Sequence, residues 1–421
     1  MQFPRMVTVQ QSFDVRSLTD IRGAVREQMN RLQLTDRVRP GDTLAITAGS
    51  RGIANIATII AEIVACASDA GMKPFIVPAM GSHGGGTVEG QLGVLASLEI
   101  TEETMGVPIR ATMETVVVAE TSHGIPVHFD RYASEADHVL VVNRTKPHTG
   151  FVGPIESGLH KMMLIGLGKH EGARIYHRAI LRHSFTEILD SVAQTVLEKC
   201  RVLGGIAILE NAQDKTALIE SILPEQFAER ETELLRLAAS WLPSLPVAEC
   251  DLLIVDRIGK NISGSGMDTN VIGRKFNDHV ATEHDRVSCL RIMVRSLTEK
   301  THGNACGIGV AEFITQHCVD QVDPVVTRVN CITAQHPPAG MIPLVLPTDR
   351  DAVEAALQTI GLTEPEDARV VQISDTLHLQ TVRVSEPCLP EIRQAVDLQV
   401  CGDAYPFPFD ADGCLSDIDD R

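Results

Sequence analysis

The chain has 421 residues, of which 44% are hydrophobic, and it carries a formal net charge of −18. This length and composition are typical of a globular protein with sizeable cores and room for two domains. The acidic surplus, the aromatic content of only 4% and the lack of a Lys/Arg run argue against nucleic-acid binding.

The sequence contains ten cysteines, and none of them forms a Cys-x-x-Cys pair. Most lie in apolar runs, so we interpret them as small buried hydrophobic residues in a reducing compartment. No apolar run reaches the length of a membrane span, and the N-terminus has no signal-peptide core. We therefore expect a cytoplasmic protein with no membrane or nucleic-acid partner.

Strands and helices alternate along the first half of the chain. Apolar runs predict strands at 42–47, 74–80, 116–120, 125–129, 138–143 and 205–209. Helical periodicity is found at 53–70, 172–200 and 225–242. This alternation predicts a doubly wound, Rossmann-like α/β domain.

The helix at 225–242 ends at two prolines and is the best candidate for the connection between domains. We therefore predict an N-terminal catalytic and cofactor-binding α/β domain over residues 1–246. The second domain, over residues 247–421, opens with a strand at 251–255 and a glycine-rich loop at 256–274, and is also predicted to be α/β. We expect the active site in the cleft between the two domains.

Histidines and basic residues are concentrated in glycine-rich loops that follow predicted strands. His83 follows the second strand and precedes a helix that Thr87 is predicted to cap. His148 and Lys161 follow the strand at 138–143, with His177 further along. Loops at the carboxyl ends of parallel strands are where α/β proteins place their chemistry, so these residues are expected to converge.

Arg51 lies at the turn after the first strand, and Lys260 in the glycine-rich loop of the second half. A neutral histidine suits metal ligation and acid–base catalysis near neutral pH, and an arginine or lysine suits a substrate carboxylate. This set of residues favours an enzyme that acts on a small acid. A surface loop with incidental histidines is the alternative that the residues alone leave open.

The segment Ser157-Gly-Leu-His-Lys161, followed by His177, resembles the core of the nickel-pincer-nucleotide lactate racemases. In that family a lysine tethers the cofactor and a downstream histidine ligates nickel. The offset here, 177 − 161 = 16, is the same as in the family. The resemblance implies a nickel-pincer nucleotide, a pyridinium mononucleotide with two sulfur-bearing arms, attached at Lys161 with nickel bound by His177.

Other loops are similar to those of the same family. Gly81-Ser-His83 and His148-Thr-Gly-Phe-Val-Gly resemble the loops that supply two catalytic histidines, and Arg51 corresponds to an arginine after the first strand. Gly266-Met-Asp268-Thr-Asn resembles a loop of the family's second domain. The resemblance implies inversion of the Cα of a 2-hydroxy acid by proton-coupled hydride transfer, with His83 and His148 handling protons.

The resemblance further implies that Arg51 binds the substrate carboxylate, while Lys260 and Asp268 contact the rest of the substrate. It also implies that separate cofactor-biosynthesis enzymes load the protein, and it leaves a homo-oligomer open. The family's acidic residues before the arginine are replaced here by Thr47-Ala-Gly-Ser. The segment that leads from His148 to the lysine is also longer than the family's. For these two reasons we expect a 2-hydroxy acid larger than lactate.

Two further functions remain open from the residues. A zinc hydrolase or lyase could use His83, His148 and His177 around an open water site, and it would need no lysine tether. A phosphate- or nucleotide-binding protein could use the glycine loops alone, without catalysis. Metal analysis of the purified protein distinguishes these functions from the racemase.

Overall fold

The computed structural model describes residues 1–50, 52–180 and 182–418, and it gives only the backbone of His177. The chain divides into two compact units. One unit spans residues 15–242, and the other combines residues 1–14 with residues 243–421. None of the helices in the described ranges is both long and apolar enough to cross a bilayer.

The strands of the described residues, in chain order, are β1 (Met6–Gln11), β2 (Thr43–Ala48), β3 (Lys73–Pro78), β4 (Thr115–Glu120), β5 (Pro126–Asp130), β6 (His138–Arg144), β7 (Val202–Glu210), β8 (Thr216–Ile222), β9 (Glu249–Ile258), β10 (Ser288–Leu297), β11 (Phe313–Thr315), β12 (Leu344–Leu346), β13 (Val370–Ile373), β14 (Thr381–Ser385) and β15 (Leu398–Tyr405).

The helices are α1 (Ile21–Arg31), α2 (Leu34–Arg37), α3 (Ile56–Asp69), α4 (Val88–Ser97), α5 (Glu102–Met105), α6 (Arg131–Glu135), α7 (Gly158–Lys161), α8 (Lys169–Ala179), α9 (Phe185–Lys199), α10 (Phe227–Trp241), α11 (Thr269–Ile272), α12 (Gln316–Asp320), α13 (Pro324–Thr333), α14 (Asp349–Leu357) and α15 (Leu389–Ile392). A π-helical turn, Met162–Gly166, separates α7 from α8.

The sheet of the unit 15–242 has the strand order β3-β2-β6-β7-β8. Its first four strands are parallel, and β8 runs antiparallel to β7. Val139 and Val141 of β6 belong to one buried apolar cluster, whereas Leu140 and Val142 belong to another. Because side chains alternate between the faces of a strand, this sheet is covered on both sides. That burial explains the continuous apolar run that the sequence shows in β6.

Chain connections leave β2 and β6 in opposite directions along this sheet, since β3 lies on one side of the pair and β7 on the other. In open α/β sheets, ligands usually bind outside the carboxyl ends of two such neighbouring strands. Ser50 follows β2, the loop with His83 follows β3, and the segment with His148 and Lys161 follows β6. The topology thus gathers these loops at one end of the sheet.

The other unit is built on a mixed sheet of the order β12-β11-β10-β9-β13-β14-β1-β15. The strands from β12 to β13 are parallel, and β14, β1 and β15 continue the sheet in antiparallel fashion. Strand β1 therefore pairs with strands more than 370 residues away along the chain. Both units combine helices with a sheet that is largely or partly parallel, so the predicted α/β class is confirmed.

Candidate active site

His83 lies in an exposed, glycine-rich turn between β3 and α4. Its Nδ1 is hydrogen-bonded to Oγ of Ser50, which follows the neighbouring strand β2. The three glycines at 84–86 have φ between 65° and 68°, a left-handed backbone that favours glycine. Thr87 then accepts a hydrogen bond from the Gly90 N–H at 3.1 Å, so the predicted N-cap of α4 is confirmed. The end of β2 and the turn after β3 are joined at His83.

His148 lies in a turn after β6, where main-chain groups fix its ring. Its Nδ1 accepts hydrogen bonds from the N–H groups of Gly150 and Phe151, both at 3.0 Å. Its own N–H donates to Oε2 of Glu156 at 2.8 Å. A ring nitrogen that accepts from N–H groups carries no proton, so Nε2 holds the proton of the neutral ring. In this conformation His148 presents a hydrogen-bond donor.

The ring of Phe151 connects His148 with Lys161. The His148 ring stacks on it with centroids 4.3 Å apart and an interplanar angle of 18°. Phe185 at the start of α9 also stacks on it, at 3.9 Å and 8°. The Nζ of Lys161 lies 5.1 Å from the centroid of Phe151, a distance typical of a cation–π contact. A predicted catalytic residue and the predicted cofactor lysine thus meet at one aromatic ring.

Lys161 is the last residue of α7, and the buried carboxylate of Glu231 in α10 holds this short helix from its other end. Glu231 accepts hydrogen bonds from the N–H groups of Leu159 and His160 and from Nδ1 of His160. The side chain of Glu231 is 0% exposed and that of His160 is 5% exposed. Charge-assisted hydrogen bonds in a buried site are strong and directional, so α7 has little freedom to move.

Gly158, the first residue of α7, makes this arrangement sterically feasible. Its φ is +81°, and a Cβ at this position would lie 2.0 Å from Oε1 of Glu231 and 2.8 Å from Oγ1 of Thr145. Asn143 at the end of β6 donates its side-chain N–H to the Gly158 carbonyl at 2.8 Å. Glycine is therefore required at position 158, because any side chain there would collide with the carboxylate of Glu231.

His177 is in the last turn and a half of α8, and its side chain lies outside the described part of the structure. A Cβ at Gly166 would lie only 2.8 Å from the carbonyl oxygen of Ala79, the residue after β3. The π-helical turn before α8 therefore packs closely against this end of β3. Such π-turns often occur at functional sites. The backbone from Lys161 to His177 thus consists of helical turns that are interrupted just before α8, where Lys169 has a φ of +55°.

The three predicted substrate residues have different positions. Arg51 lies outside the described residues, although Ser50 before it contacts His83. Lys260 and Asp268 belong to the unit with residues 243–421. The Nζ of Lys260 donates to the Gly264 carbonyl within its own loop. Asp268 caps α11, and its Oδ1 accepts from the N–H and Nδ2 of Asn270 at 3.0 and 2.7 Å.

Several residues of this region are not among the sequence-based predictions. Ser50 and Glu231 contact predicted site residues directly. A signal for Glu231 is present in the sequence, because it occupies the apolar stripe of α10 between Phe227 and Leu234. A charged residue in such a stripe is buried only with a partner. The prediction of 225–242 as a connecting helix overlooked this position.

The described residues, which do not include the side chain of His177, contain no group of three or more His, Cys, Asp or Glu placed to hold a metal. All ten cysteines are free thiols, and six of them are buried. Burial raises the pKa of the Cys318 thiol to about 12, which keeps it protonated.

Two comparisons with known proteins give matches to this chain. Residues 7–188 match the family model described as the lactate racemase N-terminal domain. The lactate racemase apoprotein from Thermoanaerobacterium thermosaccharolyticum has a similar structure, with a TM-score of 0.55 at 11% identity, over 87% of this chain and 94% of that chain. A structural-genomics protein from Thermotoga maritima also has a similar structure, with a TM-score of 0.50 at 11% identity, over 84% of this chain and 96% of that chain. At such identities the structures show a common fold. No curated protein matches the chain.

Proposed function

We propose that this chain, which belongs to the lactate racemase family through its N-terminal domain, inverts the Cα of a 2-hydroxy acid with a nickel-pincer nucleotide. The observation that carries the proposal is the way in which the surrounding structure holds Lys161 in place. A buried carboxylate fixes α7, and the lysine projects from its end toward the ring that also stacks on His148. These contacts give the lysine and a proton-transferring histidine a shared, ordered surface.

The residues present fit the nickel-pincer nucleotide in two respects. Lys161 is partly exposed at the end of a clamped helix, which suits an amine that forms a bond with a cofactor. His177 lies on α8, a regular helix that would give a metal ligand a rigid backbone. We assign cofactor attachment to Lys161 and nickel ligation to His177. The bound cofactor would accept a hydride from Cα and return it.

His83 is the better placed of the two histidines to act first as a base. When Nδ1–H of His83 donates to Oγ of Ser50, its Nε2 is unprotonated and can take the hydroxyl proton of the substrate. His148 differs, because its Nδ1 is occupied by two main-chain N–H groups. In this conformation it donates a hydrogen bond through Nε2. To accept a proton, the His148 ring must turn away from Gly150 and Phe151.

Substrate binding is assigned to three charged residues. We assign the carboxylate of the 2-hydroxy acid to Arg51, since a guanidinium pairs with a carboxylate through two parallel hydrogen bonds. Lys260 and Asp268 are assigned to the remainder of the molecule. The replacement of acidic residues by Thr47-Ala-Gly-Ser before Arg51 supports a substrate larger than lactate.

The proposal is tested by making the protein with and without cofactor-biosynthesis enzymes. We expect nickel, a mass adduct on the intact chain, and racemisation of at least one member of a panel of 2-hydroxy acids, followed by chiral chromatography. Lys161→Ala should lose the adduct, while Lys146→Ala, a lysine of the same segment, should keep it. Zinc in place of nickel, or an adduct retained in Lys161→Ala, would overturn the assignment.

A further inference from the structure

A fully buried ion pair lies behind the turn that carries His83. The Nζ of Lys169, at the start of α8, is 2.9 Å from the carboxylate of Asp130, and both side chains are 0% exposed. Lys169 also donates to the carbonyl of Pro78, the last residue of β3. Asp130 caps α6 by accepting from the Ala133 N–H at 2.8 Å. The pair therefore ties α8 and the end of β5 to the end of the strand that leads into the His83 turn.

Gln91 extends these contacts to the turn itself. Its side chain lies in α4 and is completely buried. The Nε2 of Gln91 donates to the carbonyls of Gly81 at 2.9 Å and His83 at 3.4 Å. Its Oε1 lies 3.5 Å from Nζ of Lys169. Asp130, Lys169 and Gln91 thus form a continuous polar chain that ends on the main chain of the turn.

The turn needs such an anchor because of its composition. Gly81 has φ of +62°, and the glycines at 84–86 are also left-handed. A glycine-rich segment loses more backbone entropy on ordering than any other, so without fixed contacts it samples many conformations. The two hydrogen bonds from Gln91 select one of them, in which His83 reaches Ser50.

The ion pair is costly to build, which argues for a role beyond stability. Burying two charges carries a desolvation penalty, and apolar side chains of similar volume often replace a buried pair without loss of stability. Burial raises the pKa of the Asp130 carboxyl, while the charge of Lys169 opposes this shift. Lys169 also has φ of +55°, an uncommon and strained value for a residue with a side chain.

We propose that Asp130, Lys169 and Gln91 are positioning residues that hold the His83 turn in its reactive conformation. Their part in turnover rests on the proposed function, whereas their effect on His83 itself does not. The ion pair sets the position of Gln91, and the amide of Gln91 sets the carbonyls on either side of Ser82. His83 then keeps its Nδ1 against Ser50.

The first test uses Gln91→Leu, which retains the volume of the side chain and the ion pair but removes both donors. A second variant, Gln91→Glu, keeps the shape and an oxygen near Lys169 but presents no donor to the two carbonyls. The matched control is Gln28→Leu. Gln28 is also a buried glutamine of the same unit, and its Oε1 accepts from the N–H and Oγ of Ser221, away from the turn.

The readout is carbethoxylation of His83 by diethyl pyrocarbonate, measured by peptide mass spectrometry against the exposed His123 in the same sample. Loss of the ordered Ser50 contact should raise the relative rate at His83 by about 2- to 10-fold in both Gln91 variants, the factor that one hydrogen bond corresponds to. Gln28→Leu should match the wild-type rate. Wild-type His83 reactivity in both folded Gln91 variants would overturn the inference.

The cofactor-loaded enzyme separates this inference from the proposed function. If the function is right, Gln91→Leu should lower kcat with little change in KM and should alter the pH profile that reports the base. A His83 rate that responds to Gln91, in a protein that racemises nothing, supports the positioning role and contradicts the function. Wild-type kcat and pH profile in both Gln91 variants of an active racemase would contradict the positioning role.

Discussion

Glu231 accepts hydrogen bonds from both the main-chain N–H and the Nδ1 of His160, the residue immediately before Lys161. Both side chains are almost completely buried. A carboxylate 70 residues further along the chain than Lys161 (231 − 161 = 70) therefore determines the orientation of the helix that carries the proposed cofactor lysine. Three donors converge on Glu231, so its replacement should affect stability and cofactor attachment together.

Replacing Glu231 with alanine leaves the N–H groups of Leu159 and His160 without their acceptor. Breaking a buried charged contact of this kind costs about 3–5 kcal/mol in the free energy of unfolding. Urea unfolding can be followed by the fluorescence of Trp241, the single tryptophan, which lies at the end of the same helix α10. The control is Glu229→Ala on the exposed face of α10, for which we expect a change within about 0.5 kcal/mol. Equal changes in the free energy of unfolding for the two substitutions would contradict the role of Glu231 in holding α7.

Gly158→Ala should disturb the contacts between Glu231 and α7 by a steric clash. The new Cβ would lie 2.0 Å from Glu231, at a φ of +81°, so we expect a loss of about 2 kcal/mol or more and poor retention of cofactor at Lys161. Gly93→Ala in the exposed middle of α4 is the matched control, because nothing lies within 4 Å of its Cβ. Alanine is the better helix former, so this control should gain about 0.5–1 kcal/mol. Thermal unfolding and intact-mass measurements check both changes.

His148 should be found as the tautomer with its proton on Nε2. The two main-chain N–H groups at 3.0 Å from Nδ1 require an unprotonated nitrogen there. Nitrogen-15 spectra of histidine-labelled protein should show an unprotonated Nδ1 for His148, assigned by its loss in His148→Gln. A protonated Nδ1 in the resting protein would show that the turn around His148 differs from this structure, and would make His148 equal to His83 as a candidate base.

Asp256 at the end of β9 should make the unit with residues 243–421 less stable as the pH rises. Burial raises the pKa of Asp256 to about 6 from an ordinary value of 3.8, although Arg295, 2.7 Å away, opposes this shift. The folded state therefore holds its proton to a higher pH than the unfolded state. The stabilisation is complete below about pH 4 and is lost as the pH rises through 6, by about 3 kcal/mol at most.

Asp256→Asn cannot titrate and should show no such decline. Hydrogen exchange of peptides that cover β9 and β10, corrected for the intrinsic effect of pH, measures the difference between variant and wild type. We expect the stability of the variant relative to wild type to increase between pH 4.5 and pH 7. A difference that stays constant with pH would contradict the raised pKa of Asp256.

Local sequence patterns predicted those strands and helix ends that depend on residues close together in the chain. The apolar runs of β2, β6 and β9 marked buried parallel strands, and Thr87 marked the start of α4. Strand β1 gave no such signal, because its place depends on pairing with β14 and β15, far along the chain. The family resemblance over the N-terminal segment is confirmed by the match at residues 7–188.

Contacts between distant segments account for what the sequence did not reveal about the site. Lys169 and Asp130 are ordinary surface residue types, and only the packing of α8 on the end of β5 makes them a buried pair. The apolar stripe of α10 indicates that Glu231 is buried, but only the packing of α10 against α7 shows which groups this carboxylate contacts. Such pairs depend on tertiary structure, which a single sequence does not encode in a readable local pattern.

The most direct test of the proposed racemase is the isotopic course of inversion. Cofactor-loaded protein is incubated in deuterated water with single enantiomers of 2-hydroxy acids, including lactate and larger members, and the products are separated by chiral chromatography and weighed by mass spectrometry. Hydride removed from Cα and returned to it predicts the opposite enantiomer without deuterium at Cα. Deuterium incorporated at Cα in step with inversion would indicate simple proton abstraction and would contradict the proposed mechanism.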